Sequence, residues 1–330
     1  MNRQNASAER GGPSGASPGR SGLEALLAAG RFALTAEITP PASSNLAELL
    51  AKALPLKGLA DAVNVTDGAG ARAHLDATVA ANALLQEGIE PILQLTCRDR
   101  NRIALQSQLL GAAALGITNL LLLKGDDPSA GDQPDAKPVF DLDTAALAAT
   151  AVSIRDRGQL PYGREVGGSA AFFVGVADAP VDPPPGWLPS GLIKKIDAGA
   201  QFAQTQFCMD APILRRYVER LRESGAGGRV HLIVGVAPLS SAKSARWIKE
   251  HLFGSIIPEW MIERLEKAAD AQAEGCALCV ELLKEYAEIP GVSGAHLMAP
   301  LNERAISAVI EALRKSATTT GPMACNVSTI

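Results

Sequence analysis

Aromatic side chains are scarce in this sequence: seven Phe, three Trp and three Tyr make up only 4% of it. So thin a supply does not build the stacking platforms that hold single-stranded nucleic acid. One-sided charge is missing as well. Lys and Arg number 31 against 35 Asp and Glu, for a formal net charge of −4 with both signs interspersed. No basic surface therefore offers itself to nucleic acid or to anionic lipid. No apolar run reaches the roughly 20 residues needed to span a bilayer. The cysteines (Cys97, Cys208, Cys276, Cys279 and Cys325) are few, dispersed and odd in number, which suits reduced thiols and a cytoplasmic setting. Cys276 and Cys279 form a C-x-x-C, but it sits within the helical pattern EGCALCVELLKEY and has no second ligand pair. They read as buried helix cysteines, and no His/Cys/carboxylate set has zinc spacing, so no metal is expected. Absent too are G-x-S-x-G, the P-loop and a G-x-G-x-x-G opening a helix, which leaves serine nucleophiles and P-loop phosphoryl transfer without support.

What is present is Ala, Leu, Val and Ile, arranged in a repeating alternation. Short β-rich runs occur at 31–39, 61–67, 90–97, 119–126, 171–178, 202–208, 230–238 and 294–300. Between them apolar residues fall at helical spacing, as in NRIALQSQLLGAAALG and APILRRYVERLRESG. Strands that alternate with helices pair in parallel, because each crossover needs a helix to bring the chain back. Eight of them predict a closed (β/α)8 barrel, a fold that takes roughly 250 residues as one domain. A helix over 23–30 precedes the first strand, and the stretch 241–290 holds two or three extra helices between strands seven and eight. The organisation expected is a disordered tail over 1–22 with no secretory signal, one catalytic domain over 23–316 and a flexible tail over 317–330. Two connections, 126–143 and 178–190, are too rich in Pro and Gly for helices. Both leave the C-terminal ends of strands, the face where barrel enzymes keep their chemistry.

Several polar residues sit where a packed barrel wants branched apolar ones. In the first strand Thr35, Glu37 and Thr39 share one face and Phe32, Leu34, Ala36 and Ile38 the other. Glu37 therefore points into the barrel mouth, where a carboxyl group can serve as a proton donor. Strand four ends in Lys124, Gly125, Asp126 and Asp127, strand two in Thr66, Asp67 and Gly68; strand three offers Gln94 and Thr96, strand six Gln204 and Gln206. The histidines (His74, His231, His251, His296) fall on separate elements and read as satisfied or surface side chains. A neutral rim with one acid, one or two Asp and several amides suits a polar heteroaromatic ligand such as a flavin or a pterin.

The segments AEITPP (36–41), NVTDGAG (64–70), LQLTCRDRNR (93–102), LLLKGDDP (121–128) and KKIDAGAQFAQTQFCMD (194–210) go further. As a set, and in this order, they resemble the methylenetetrahydrofolate reductase family from about residue 30 to 312. The resemblance implies a barrel that binds FAD, takes electrons from NADH or NADPH, and reduces 5,10-methylenetetrahydrofolate to 5-methyltetrahydrofolate. It implies Glu37 as the general acid, Asp126 as a second catalytic group beside flavin and pterin, and Gln206 as the holder of the folate head group. The flavin-binding set it implies is Thr66, Gln94, Lys124, Gly125, Asp126, Ala177, Lys194 and Lys195, the last two facing the FAD phosphates. Departures occur at Gln94, Ala242, Glu303 and Ala179, where relatives carry His, Phe, Arg and often Tyr. These departures leave room for a divergent folate- or pterin-binding barrel that works with a partner or without flavin, and for a homo-oligomer or partner subunit. A Schiff-base aldolase or lyase using Lys124 is the third reading, and it requires that lysine to be desolvated.

Overall fold

The computed structural model describes residues 20–300 and 302–317. Among them β1 (Ala33–Ile38), β2 (Ala62–Val65), β3 (Pro91–Thr96), β4 (Asn119–Leu123), β5 (Phe173–Asp178), β6 (Phe202–Phe207), β7 (His231–Val236) and β8 (Val292–Leu297) form one closed barrel. Every pairing is parallel, and β8 closes on β1 with His296 opposite Thr35. The eight strands lie where the short β-rich runs placed them. Each is wrapped by helices: α1 (Gly22–Ala28), α2 (Leu46–Ala53), α3 (Ala77–Gln86), α4 (Arg102–Ala114), α5 (Thr144–Arg157), α6 (Ser190–Asp197) and α7 (Ala211–Glu223) in the first part of the chain. Three more, α8 (Ala242–His251), α9 (Glu259–Lys267) and α10 (Ala271–Ala287), separate β7 from β8, and α11 (Arg304–Ala317) ends the described chain. The expected tails lie outside the described residues except at 20–22 and 317, where Ser21 caps α1 and the helix begins at Gly22.

The pleat divides the core into two shells. Outward residues such as Ala36, Ile38, Val63, Val65, Leu93 and Leu95 meet the surrounding helices. Inward residues Ala33, Ala62, Ile92, Leu121, Phe173, Phe202 and Ile233 close the lower barrel, and Leu23 and Leu27 of α1 plug it from below. Glu90 seats that plug by accepting hydrogen bonds from the backbone N–H of Gly22 (3.0 Å) and Leu23 (2.8 Å). Phe173 and Phe202 stack with centroids 4.8 Å apart. Gly175 makes room for them, since a Cβ there would come within 2.1 Å of the Phe202 ring.

The two long connections are tied to the barrel. In 126–143, Val139 N–H donates to Arg98 O (2.7 Å) and Phe140 N–H to Cys97 O (3.2 Å). Asp143 caps α5 through Ala146 N–H at 2.8 Å, as its position before the helix suggests. Asp141 differs: it accepts from the backbone N–H and guanidinium of Arg102, at 2.7–2.9 Å, and so anchors the first turn of α4 instead. The C-x-x-C lies on α10 with Cys279 buried and Cys276 half-buried, and burial pushes both thiols up. Among the described residues no helix is long and apolar enough to cross a membrane.

Candidate active site at the barrel mouth

One pleat above the apolar floor the interior turns polar. Asn64 on β2 and Gln204 on β6 face each other across the barrel and exchange amide hydrogen bonds of 2.6 and 3.1 Å. Gln204 Nε2 also donates to Thr35 Oγ1 (3.1 Å), which lies 3.0 Å from Nδ1 of His296. His296 Nε2 in turn stands 3.5 Å from Glu37 Oε2. Gln94 Nε2 donates to the same Oε2 at 2.9 Å. All of these except Glu37 are buried; the Glu37 side chain keeps 22% of its surface. The structure thus puts Glu37 where the β1 pleat predicts, at the top of a chain of polar groups that spans the barrel.

Two residues named from sequence gain their surroundings here. His296, read as a satisfied or surface histidine, is a buried one paired with Thr35 beside Glu37, because closure of β8 on β1 brings it opposite Thr35. Gln94, expected in the flavin-binding set, hydrogen-bonds Glu37.

The rim holds the remaining predicted residues. Thr66, just past β2, is buried, and its Oγ1 has no hydrogen-bond partner. Asp126 is exposed and accepts from Gly70 N–H at 3.1 Å, which joins the β4 loop to the β2 loop. Gly125 between them has φ +91°, and a Cβ there would press on Thr96 and Arg98 at 3.0–3.1 Å, so the position favours glycine. Lys124 is exposed, with its Nζ 5.3 Å over the Phe140 ring. An exposed lysine lacks the apolar pocket that a Schiff-base nucleophile needs. Lys195 Nζ donates to Ala177 O (2.6 Å) at the end of β5. Lys194 differs from its neighbour: it turns outward to Asp143 (2.7 Å), with 67% of its side chain exposed. Gln206 folds back so that its Oε1 accepts from Phe207 N–H at 3.0 Å, beside a register shift in β6.

The motif LQLTCRDRNR also contributes groups that sequence reasoning passed over. Arg100 makes a two-pronged ion pair with Asp67 (2.6 and 2.8 Å), and Asp67 also accepts from Thr96 N–H and Oγ1. Buried Arg98 donates to Gly68 O (3.1 Å) and Asp99. The Asp99 hydrogen bond, with the charges of Asp99, Asp126 and Asp67, pushes its guanidinium above the ordinary value. These pairs brace the β2, β3 and β4 loops as one wall. The alternation of charge in T-D-G and C-R-D-R was the available signal.

Comparison with known proteins bears on this mouth. The family model described as "Methylenetetrahydrofolate reductase" matches residues 22–314. The 5,10-methylenetetrahydrofolate reductase of Pectobacterium carotovorum subsp. carotovorum is 30% identical over 240 residues, which cover 70% of this chain and 72% of that one. The Salmonella typhimurium protein of the same name is 27% identical over 269 residues, 77% of this chain and 82% of its own. A Caenorhabditis elegans protein named probable methylenetetrahydrofolate reductase (NADPH) is 27% identical over 246 residues; the match takes in 72% of this chain but only 34% of that longer one. Among solved structures, a Clostridium thermocellum protein that binds two copies of 5-methyl-5,6,7,8-tetrahydrofolic acid superposes with a TM-score of 0.58. It shares 15% identity and covers 89% of this chain and 99% of its own, a likeness of fold. Because the family match runs through all eight strands and the mouth they carry, the chain belongs to the methylenetetrahydrofolate reductase family.

Proposed function

We propose that the chain reduces 5,10-methylenetetrahydrofolate to 5-methyltetrahydrofolate, taking electrons from NADH or NADPH through a bound FAD. The observation that carries this reading is the Glu37 carboxyl inside the mouth of the barrel, where Gln94 Nε2 donates to it and His296 Nε2 stands 3.5 Å away. The rim fits a flavin. Thr66 Oγ1 is a buried hydroxyl with no partner, and an unmet group of that kind costs about 1–3 kcal/mol unless a ligand engages it. The other residues of the set lie at the C-terminal ends of β4 and β5 and on α6: Lys124, Asp126 and Gly125, whose missing side chain lets a ligand approach the backbone, with Ala177 and Lys195. Of the two adjacent lysines, Lys195 reaches the end of β5 at Ala177 O, and Lys194 pairs with Asp143.

Bound FAD would supply reversible hydride uptake and delivery, which no protein side chain offers. The chain's own residues do the rest. Gln206 holds the amide edge of the folate head group, and Asp126 fixes the loop against which it lies. Glu37 keeps a proton and passes it to the folate nitrogen released when the five-membered ring opens. Its proton is replaced from water when product leaves. Dispersed thiols and balanced charge support a cytoplasmic setting.

Glu37→Gln keeps size and hydrogen bonding but removes the transferable proton. FAD binding and flavin reduction by NAD(P)H should stay near normal, with folate reduction slowed by about 10²–10⁴-fold. Stopped-flow measurement of each half-reaction decides. Folate reduction at the parent rate would overturn the reading, as would a purified chain that takes up no FAD from excess.

A further inference from the structure

The polar chain beneath Glu37 has a direction, which can be worked out by counting protons. Thr35 Oγ1 accepts from Gln204 Nε2 at 3.1 Å and has one proton of its own to give. Its two candidate acceptors are His296 Nδ1 at 3.0 Å and Ala295 O at 3.4 Å. The contact to Nδ1 is the shorter, and Nε2 on the other side of the ring faces a carboxyl oxygen that can only use a donor there; together these favour Nδ1 as the acceptor. A neutral imidazole that accepts at Nδ1 carries its proton at Nε2. That Nε2 faces Glu37 Oε2, 3.5 Å away. Gln94 Nε2 donates to Oε2 as well, at 2.9 Å. Both donors therefore converge on one oxygen. Among the described residues none hydrogen-bonds the other, Oε1.

From this asymmetry we infer that His296, locked as the Nε2–H tautomer by Thr35, is a positioning residue that confines the Glu37 proton to Oε1, the oxygen free to meet substrate. The inference rests on Glu37 being the acid and adds what orients it. An oxygen that accepts the Gln94 N–H at 2.9 Å and faces the His296 Nε2 at 3.5 Å has less capacity to bear a proton than its twin, so the proton goes to Oε1. The carboxyl is also prevented from rotating, because a turn about its last bond would break both contacts. Without His296, Gln94 alone holds Oε2, and the protonated oxygen faces substrate only part of the time. The amide pair Asn64–Gln204 completes the device by fixing the Gln204 amide that Thr35 needs.

The test has a direct arm and a kinetic arm. In the FAD-loaded chain labelled with nitrogen-15 at its histidine rings, the resonances lost in His296→Gln identify His296. They should show a proton on Nε2 and none on Nδ1; a proton on Nδ1 would overturn the inference whatever the kinetics. In the kinetic arm His296→Leu removes the donor and His296→Gln restores an N–H near the same place. His296→Leu should leave flavin reduction unchanged and slow folate reduction by about 10–100-fold, the range that misplacement of a reacting group costs. His296→Gln should recover most of the loss. The double variant with Glu37→Gln should be no slower than Glu37→Gln alone, since the histidine acts only through that carboxyl. Equal slowing of both half-reactions, equal slowing by Leu and Gln, or an additive double variant would each overturn it. Glu37→Gln run alongside separates the two failures. If it reduces folate at the parent rate, the acid reading itself is lost; if it is slow while His296→Leu is not, only the role of His296 is lost.

Discussion

The lower interior of the barrel is filled by Ala33, Ala62, Ile92, Leu121, Phe173, Phe202 and Ile233, whereas one pleat higher four of the same strands carry Thr35, Asn64, Gln94 and Gln204, joined by His296 of β8. Both layers are buried, but they are held by different physics. Below, any apolar group of the right volume fills the space, because dispersion and water exclusion have no direction. Above, each donor needs its acceptor, and the loss of one leaves its partner stranded in low dielectric. The lower layer thus decides whether the barrel stands. The upper layer decides how one carboxyl is presented.

If that division holds, substitutions in the two layers should fail in different assays. The largest stability loss belongs to Phe202→Ala, which removes a fully buried ring stacked on Phe173 and should cost about 3–5 kcal/mol. Thermal or urea unfolding measures it, and the molecules that remain folded should keep both half-reactions. A folded population with normal stability but slow folate chemistry would break the division. Gln204→Leu comes next. It strands Asn64 and withdraws the donor from Thr35, so stability should fall by about 1–3 kcal/mol while folate reduction slows and flavin reduction does not. Unfolding curves and stopped flow on one preparation would show both effects together, as expected for a layer that joins structure to chemistry. The smallest effect sharpens the contrast from the other side. Thr66→Val removes a hydroxyl with no protein partner, so stability should stay within about 0.5 kcal/mol. FAD should nonetheless bind several-fold more weakly, by about 1 kcal/mol, in equilibrium titration. Unchanged flavin affinity would remove Thr66 from the cofactor site.

The strands were legible because each is a short β-rich run followed by a helical pattern, and Glu37 was legible because its pleat and the following Pro40 lie in one short segment. The network beneath it was not. Thr35 and His296 are 261 positions apart, and Asn64 and Gln204 are 140 apart, so no local pattern links them. A single histidine in GAHLMAP gives no sign that β8 will close on β1. The parity of polar residues across all strands was the usable clue: Thr35, Asn64, Gln94, Gln204 and His296 each fall on the inward face. Lys194 and Lys195 show the opposite difficulty. Adjacent helical residues point about 100° apart, so neighbours in sequence meet different partners in space.

The α1 plug sets sequence order against assembly order. Leu23 and Leu27 leave the ribosome before any strand, yet their contacts lie on residues contributed by β1 through β7. Their binding site does not exist until nearly the whole sheet has been synthesised and has curled round. A segment made before any strand thus packs late, once the strands that line its seat are in place. A chain stalled short of β7 would carry these leucines uncovered, a mark by which quality control can tell an unfinished barrel from a finished one.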